Sequence, residues 1–439
     1  MNTYEEIIKR ICEEGKQAYL VGGAVRDEFL GVDANDYDIV TDALPKELEE
    51  LFPDRNVKTF GTSFLVTSID GIEVATYRSD RNVSNGRQNC IVEACKTLNE
   101  DLSRRDFTFN SLALCPYTGE VIDPFDGMKD LNNKIVMFVG DPEKRILEDY
   151  LRMIRAARFA CLIEGRLHPD TFQAICNNRV LVHEIAPERI RIELLKAMKY
   201  ERPSIFFDVL FQTGILEIIL PEFNKMYGHT GGQYHAETIA EHCLITGDSI
   251  SSNYPLLRLV GYLHDVGKPA TFDGENFIDH EKVGGDLVED IFKRYKFSND
   301  EITFATHLVR FHMRSLDYLI TPKSVRRLLK SFSENQISWK DWIKLKIADK
   351  KANLAAKNYT PQEIKTFCLK LHKAKNESKS GGFKVTDLAV NGLDVMNLLN
   401  IKPGKQVGDI LKQLLEIVID DPSVNERDTL VSLILQRAQ

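Results

Sequence analysis

An α+β fold is predicted, with a mixed sheet and flanking helices over residues 1–125 and an all-helical remainder. Three observations carry this. Up to about residue 125, short apolar stretches alternate with turn residues. From Asp141 onward the pattern is helical almost to the end. At 439 residues the chain has room for two to four domains with separate cores. The division expected is 1–125 for the sheet-bearing domain, 126–225 and 226–352 for two helical domains, and 353–439 for a C-terminal helical region.

The first elements lie in LVGGAVRDEFLGVDANDYDIVT. Tyr19 to Val21 read as a short apolar strand. Gly22 and Gly23 lack a Cβ and let the backbone approach a bulky anion. Ala24 to Leu30 look like a helix start, whose free N–H groups and positive dipole end suit a phosphate. Asp36-Tyr37-Asp38 then enters a second strand, where period-two alternation would point both carboxylates the same way. Such a pair can hold Mg²⁺, which binds one or two carboxylates plus substrate phosphates. Two metals there could clamp both oxygens of a phosphoryl displacement. An isolated Gly-Gly is ordinarily a turn and an isolated Asp-x-Asp ordinarily solvated surface. The order strand, Gly-Gly, helix, Asp-x-Asp, strand is what gives them chemical meaning.

Residues 64–69 and 73–77 read as a hairpin joined at Asp70-Gly71. Residues 84–89 have no periodicity and read as a mobile loop. Pro203, Pro221 and Pro255 punctuate the helical part, and residues 378–383 read as a linker or exposed loop.

Composition excludes several classes. Hydrophobic and charged fractions of 43% and 28% are ordinary for a globular protein. No apolar run reaches the length of a membrane span, and the amino terminus is acidic and amphipathic, unlike a signal peptide. Eight scattered cysteines with no Cys-x-x-Cys pair suggest reduced thiols and a cytoplasmic setting. A net charge of −8 argues against a general nucleic-acid binder, yet residues 144–202 carry twelve Lys and Arg against eight Asp and Glu. That surplus fits one structured RNA held in one place, or else a set of helix-surface ion pairs.

Two constellations stand out in the helical part. Glu148, Asp149, Arg152 and Arg155 have helical spacing and would share one face, with Glu148–Arg152 an ordinary stabilising pair as the plainer alternative. Further on, His264-Asp265 interrupts an apolar helix in LVGYLHDVGKP that would end at Gly267. Burying both without a partner or metal is costly. His242, His280, His312 and Asp349 lie in the flanking segments, with Lys268 beside the pair.

GGAVRD followed by DYDIVT resembles the head motif of the class II tRNA nucleotidyltransferases, the CCA-adding enzymes, and their relatives the bacterial poly(A) polymerases. Residues 71–78 (GIEVATYR), 101–110 (DLSRRDFTFN), 123–127 (DPFDG, the hinge), 148–155 (EDYLRMIR) and 187–193 (PERIRIE) resemble the later motifs in order. The resemblance implies a polymerase-beta-like head, with Asp36 and Asp38 catalytic and holding Mg²⁺ and Glu73 a further candidate carboxylate. Arg26 would reach the triphosphate, Arg105 the base or sugar, and Asn110 the ribose. Asp106 would orient Arg105 or the base-reading pair Asp149 and Arg152, with Arg155 on the same face. A carboxylate accepts from the amino group that cytosine and adenine share, and a guanidinium donates to their ring acceptors; guanine and uracil present the opposite pattern. Glu188, Arg189 and Arg191 would support the RNA-side helix rather than touch substrate. Asn85 and Met137 depart from residues common in the family, Asp and Arg respectively, which bears on nucleotide switching.

The set His242, His264, Asp265, His280, His312 and Asp349 resembles the HD superfamily of metal-dependent phosphohydrolases. Its mixed ligands suit Mn²⁺, Fe²⁺, Ni²⁺, Co²⁺ or Mg²⁺ better than structural zinc. In HD-bearing CCA-adding enzymes this domain is associated with 2′,3′-cyclic phosphodiesterase and phosphatase activity. Residues 391–396 and 401–408 resemble the C-terminal helical part of those relatives, which implies helix packing around a loop combined with a cradle for the tRNA body. The implied partners are tRNA, CTP and ATP, with no membrane, for a monomer or homodimer. Open alternatives are CC-only or A-only addition, a poly(A) polymerase, or an HD phosphohydrolase whose head is an inactive RNA platform.

Overall fold

The computed structural model describes residues 3–34, 36–59, 65–81, 91–230, 236–314, 316, 321–377 and 383–436. The loop expected at 84–89, with Asn85, and most of the linker at 378–383 lie outside them. The chain divides into two compact units, Met1–Pro221 and Glu222–Gln439.

In the first unit the strands are β1 (Ala18–Val21), β2 (Asp38–Thr41), β3 (Val57–Thr59), β4 (Val66–Ile69), β5 (Ile72–Thr76), β6 (Arg78–Arg81), β7 (Ile91–Ala94), β8 (Ala113–Cys115) and β9 (Glu120–Ile122). Seven form one mixed sheet in the order β3-β4-β5-β2-β1-β8-β9, and β6 pairs with β7 in a separate ribbon. All four residues of β1 are buried, as are Ile39, Val40 and Thr41 of β2, so these two strands form the sheet's centre. The helix Thr3–Glu13 buries Ile7, Ile8 and Ile11 in the same core. The hairpin expected at Asp70-Gly71 is present. Ile69 pairs with Ile72, and Asp70 (φ 52°) and Gly71 (φ 90°) both take positive φ, as a two-residue turn with right-handed strand twist requires.

Register places the chemistry. Antiparallel β1 and β2 pair Val21 with Asp38, so the Gly22-Gly23 turn leaves the sheet beside Asp38. Parallel β2 and β5 pair Asp38 with Glu73, bringing that carboxylate alongside. Strand β2 begins at Asp38, with Asp36 two residues ahead of it, and both residues are solvent-exposed. The pleat of β2 therefore does not by itself set the direction of the Asp36 side chain.

Beyond the sheet, Phe107, Phe109, Phe138 and Phe159 pack with ring centroids 5.0–5.9 Å apart, all four nearly excluded from solvent. The segment 123–127, read as a hinge, is a tightly packed corner. The Asp123 carboxylate accepts the N–H groups of Gly127 and Met128, and a Cβ on Gly127 would stand 2.3 Å from the Thr108 carbonyl oxygen. The helical pattern from Asp141 holds apart from the two-residue strand Arg166–Leu167, which pairs in parallel with Ile135–Val136.

The second unit is helical. Thr238, Ser298, Thr321, Thr360 and Asn391 cap the N-termini of the helices Ile239–Ser249, Asn299–Phe311, Pro322–Glu334, Pro361–Asn376 and Gly392–Leu399 through side-chain oxygens. The helix expected to run to Gly267 stops at Leu263, and His264 to Gly267 form a turn. Glycine is required at 267, since a Cβ would lie 2.2 Å from the His280 carbonyl oxygen. No helix among the described residues is long and apolar enough to cross a membrane, and the seven described cysteines are free thiols.

Candidate functional site

The first unit contains a cleft of about 400 Å³. Its lining includes Asp38 and all nine residues read as nucleotide-binding: Gly22, Gly23, Arg26, Arg105, Asp106, Asn110, Asp149, Arg152 and Arg155. Asp36 is not part of the lining. Its charge nonetheless acts on Asp38, whose pKa is raised first by burial and then by the carboxylates of Glu73 and Asp36, against the opposing pull of Arg105. A cluster of hard oxygen donors that repel one another fits a divalent cation such as Mg²⁺.

Seven arginines face three aspartates across this cleft, so its charge suits a polyanion. The basic surplus of residues 144–202 is divided: Arg145, Arg152 and Arg158 are each less than a tenth exposed, whereas Lys144, Arg166, Arg179, Lys196, Lys199 and Arg202 are exposed. The arginines are positioned by a connected network. Arg26 Nη1 donates to Asn110 Oδ1 (2.7 Å), and Asn110 Nδ2 donates to Asp106 Oδ1 (3.0 Å). Asp106 Oδ2 accepts from Arg155 Nε (2.8 Å). Burial opposes ionisation of Asp106, but the Arg155 guanidinium and the Asn110 hydrogen bond outweigh it and hold the carboxyl well below the usual range. Asp106 therefore positions Arg155, while Arg105 is held instead by Asp101 (3.2 Å). The network continues through Glu193, which pairs with Arg158 and lies 3.8 Å from Arg155 Nη1. Arg158 in turn donates to the Tyr200 hydroxyl (2.7 Å). Beneath them Phe159 forms a floor, its ring 5.2, 5.3 and 4.1 Å from the guanidinium carbons of Arg26, Arg155 and Arg158.

Asp149 and Arg152 do not share a helical face. The helix Pro142–Glu148 ends at Asp149, which is extended (φ −153°, ψ 105°), and a new helix runs Leu151–Leu162. The break aims the two groups independently. Arg152 donates to Glu148 Oε2 (2.6 Å) and to the carbonyls of Arg145 and Arg104 (both 2.9 Å), so the plain ion pair exists and Arg152 still lines the cleft. Asp149 accepts from the Leu151 N–H (3.2 Å) and from Arg189 Nη2 at 2.8 and 3.1 Å. Arg189, expected only to support a helix, lines the cleft and holds Asp149. Glycine at 22 is required by its φ of +70°, and a Cβ there would also press on the Arg105 Nη1 tip at 3.0 Å. The helix after it, Gly23–Phe29, has only seven residues, so the charge for an anion comes mainly from the arginines.

A second site lies in the other unit. His242, His264, Asp265, His280 and His312 are buried and converge. Asp265 Oδ1 lies 3.3 Å from both His280 Nε2 and His312 Nε2, and its Oδ2 is 3.4 Å from His264 Nε2 and 3.8 Å from His242 Nε2. Asp349 Oδ1 completes the set, 3.2 Å from His242 Nε2. Lys268 Nζ is 2.6 Å from Asp265 Oδ2. Burial keeps the His264 imidazole neutral, bringing its pKa down to about 3, and its Nε2 makes no hydrogen bond. A buried, unsatisfied lone pair amid carboxylates and imidazoles fits a divalent transition metal.

Sequence reasoning missed Arg158, Phe159 and Glu193, and misplaced Arg189. A signal existed for Phe159: it stands four residues after Arg155 and seven after Arg152, on the same helical face.

Residues 18–137 match the Poly A polymerase head domain, 166–227 the probable RNA and SrmB-binding site of polymerase A, and 277–434 the putative domain 2 of tRNA nucleotidyltransferases. The CCA-adding enzyme of Ligilactobacillus salivarius is 29% identical over 97% of this chain and 94% of its own length. That of Bacillus licheniformis is 39% identical, over 48% of this chain and 53% of its own. In fold the chain is similar to the Bacillus stearothermophilus CCA-adding enzyme in complex with CTP, with a TM-score of 0.71 and 24% identity over 100% of this chain and 98% of that one. It is also similar to the Thermotoga maritima CCA-adding enzyme complexed with tRNA, with a TM-score of 0.59 and 19% identity over 99% and 95%.

Proposed function

We propose, from a chain that carries a nucleotidyltransferase head and the fold of CCA-adding enzymes, that it is itself a class II CCA-adding enzyme. It builds or repairs the 3′ CCA end of tRNA from CTP and ATP without a template, releasing pyrophosphate. The observation that carries this reading is the arginine-rich cleft that gathers every expected nucleotide-binding residue against Asp38. Gly22 lets the triphosphate approach the backbone, and Arg26 and Arg105 balance its charge. Asp149, held by Arg189, accepts from the amino group of cytosine or adenine, and Arg152 donates to the ring acceptor; uracil and guanine are refused. Arg155, fixed by Asp106, and the Phe159 floor keep the arginines in place. Asp36 and Asp38, with Glu73 beside them, would hold Mg²⁺, which when bound activates the RNA 3′-hydroxyl and stabilises the departing pyrophosphate. The arrangement of domains proposed is a head over 1–125, a nucleotide-recognition neck over 126–225, an HD domain over 226–352 and a tRNA-binding region over 353–439.

The test is incorporation into a tRNA transcript lacking CCA, with Mg²⁺ and CTP, ATP, both, or UTP and GTP, products sized on a gel. Growth by three nucleotides only with CTP and ATP together supports the reading. Growth by two with CTP alone and no further step makes it a CC-adding enzyme, and a long ladder with ATP a poly(A) polymerase.

A second activity is proposed for the other unit, from the unsatisfied His264 Nε2 at the centre of the histidine–aspartate cluster. A divalent metal such as Ni²⁺, Mn²⁺ or Co²⁺, or Mg²⁺, held there would supply Lewis-acid chemistry for cleaving a 2′,3′-cyclic phosphate or a terminal phosphate. One water opens the cyclic ester to a phosphomonoester, and a second hydrolysis releases phosphate and leaves the free 3′-hydroxyl that addition needs. Release of phosphate from tRNA ending in either group, lost in His264→Ala, tests it; equal release by the variant removes it.

A further inference from the structure

The four histidines of the second site are oriented in one way. Each directs Nδ1 outward to an acceptor and Nε2 toward the cluster. For His264, His280 and His312 the acceptor is a backbone carbonyl, of Gly261 (2.8 Å), Phe277 (2.7 Å) and Val309 (2.6 Å) respectively. For His242 it is a carboxylate: Glu237 Oε1 lies 3.1 Å from Nδ1. Glu237 is itself buried, its side chain 1% exposed. Its other oxygen accepts the backbone N–H groups of Leu354 (3.1 Å) and Ala236 (3.2 Å). Leu354 stands two residues beyond the helix Trp339–Ala352, which carries Asp349. One buried carboxylate thus ties the histidine at one edge of the cluster to the end of the helix that supplies its neighbour.

The consequence follows from the chemistry of imidazole. A neutral ring that donates Nδ1–H to Glu237 presents a lone pair at Nε2. That atom faces Asp349 Oδ1 at 3.2 Å, a contact that either a proton on Nε2 or a cation held by both atoms satisfies. A carboxylate on the distal nitrogen fixes the tautomer and makes the ring a stronger ligand, which a carbonyl does more weakly. Resting on the metal-site reading above, we infer that Glu237 is a positioning residue for a divalent cation, setting the tautomer, angle and basicity of His242 and, through Leu354, its spacing from Asp349.

The test uses the full chain in an Asp38→Ala background, which breaks the head's carboxylate pair and is shared by every protein compared. Mn²⁺ and Ni²⁺ are titrated by calorimetry into that protein and into versions adding Glu237→Gln, Glu237→Ala or His264→Ala. Glu237→Gln keeps the size and removes the charge, and circular dichroism checks that each variant is folded. Glu237→Gln is expected to weaken metal binding roughly 10- to 100-fold, and His264→Ala to weaken it at least as much. With Asp38 restored, Glu237→Gln leaves nucleotide addition unchanged. Equal affinity in the Glu237 variants and their parent, with His264→Ala impaired, overturns the role of Glu237 and leaves the metal site standing. No binding in the parent overturns both.

Discussion

Replacing Asp106 by asparagine isolates the clamp on Arg155. The carboxylate is nearly buried and accepts from Arg155, Asn110 and the Phe107 N–H. Removing one partner of a fully buried ion pair costs about 3–5 kcal/mol. Two features reduce this. The Arg155 side chain is 29% exposed, and Glu193 remains 3.8 Å away to share its charge. A loss of about 1–3 kcal/mol is therefore expected, which at about 2–4 °C per kcal/mol for a unit of this size lowers Tm by roughly 2–12 °C. The transition to follow by calorimetry is the one that CTP raises, since ligand binding marks the unit that holds the cleft. The sign with pH is fixed. A carboxylate with a depressed folded pKa stabilises above its unfolded value of about 3.9, and that contribution is lost as pH falls through the folded value. The Tm gap between the two proteins should persist from neutral pH down to about pH 5 and narrow below about pH 4. The side-chain amide in the Asp106→Asn variant also presents an N–H₂ group toward Arg155, so that arginine swings free and addition slows. A Tm within about 1 °C of the parent, together with unchanged addition, would refute the clamp.

Other outcomes follow from the same geometry. Asp38→Ala abolishes addition while tRNA binding, measured by filter retention, stays near the parent value. Because burial and the Glu73 and Asp36 charges raise the Asp38 pKa, its ionised form costs stability above that value. Asp38→Asn should thus raise Tm at neutral pH, a gain that vanishes below about pH 4. By the same logic Glu73→Gln moves the acid limb of the pH–rate profile to lower pH, and an unmoved limb would remove Glu73 from the site. Gly22→Ala forces a Cβ onto a positive φ and against Arg105, costing about 1–2 kcal/mol in Tm measurements and suppressing addition with CTP and ATP alike. Arg189→Ala frees Asp149 and should weaken preference for CTP over UTP more than it lowers tRNA affinity, as competition between labelled nucleotides would show.

Much of this is legible along the chain because the motifs carry their own local geometry. Gly22-Gly23, the Asp70-Gly71 turn and the spaced His, His-Asp, His, His, Asp set each state a backbone need or a ligand type without reference to distant residues. What is not legible depends on partners far off in sequence. Nothing in EDYLR announces that the helix breaks at Asp149, because no Gly or Pro marks it. The break is fixed by the Leu151 N–H and by Arg189, forty residues downstream. Periodicity puts Asp36 in a strand, yet the pairing that defines β2 begins two residues later. The basic surplus of 144–202 reads equally well as surface, since composition does not tell which way an arginine points. Glu237 carries no motif at all, and only the fold brings it to His242.

The central claim is that protein side chains choose the base. The most direct measurement is the ratio of single-nucleotide incorporation rates for CTP and UTP, and for ATP and GTP, on tRNA lacking the corresponding terminal residue. It is compared between the parent, Arg152→Ala and the charge-retaining Arg152→Lys. The parent should refuse UTP and GTP, and both variants should lose discrimination by roughly 5- to 150-fold, since one good bidentate contact is worth about 1–3 kcal/mol. Slower addition in the variants with both ratios preserved would contradict it.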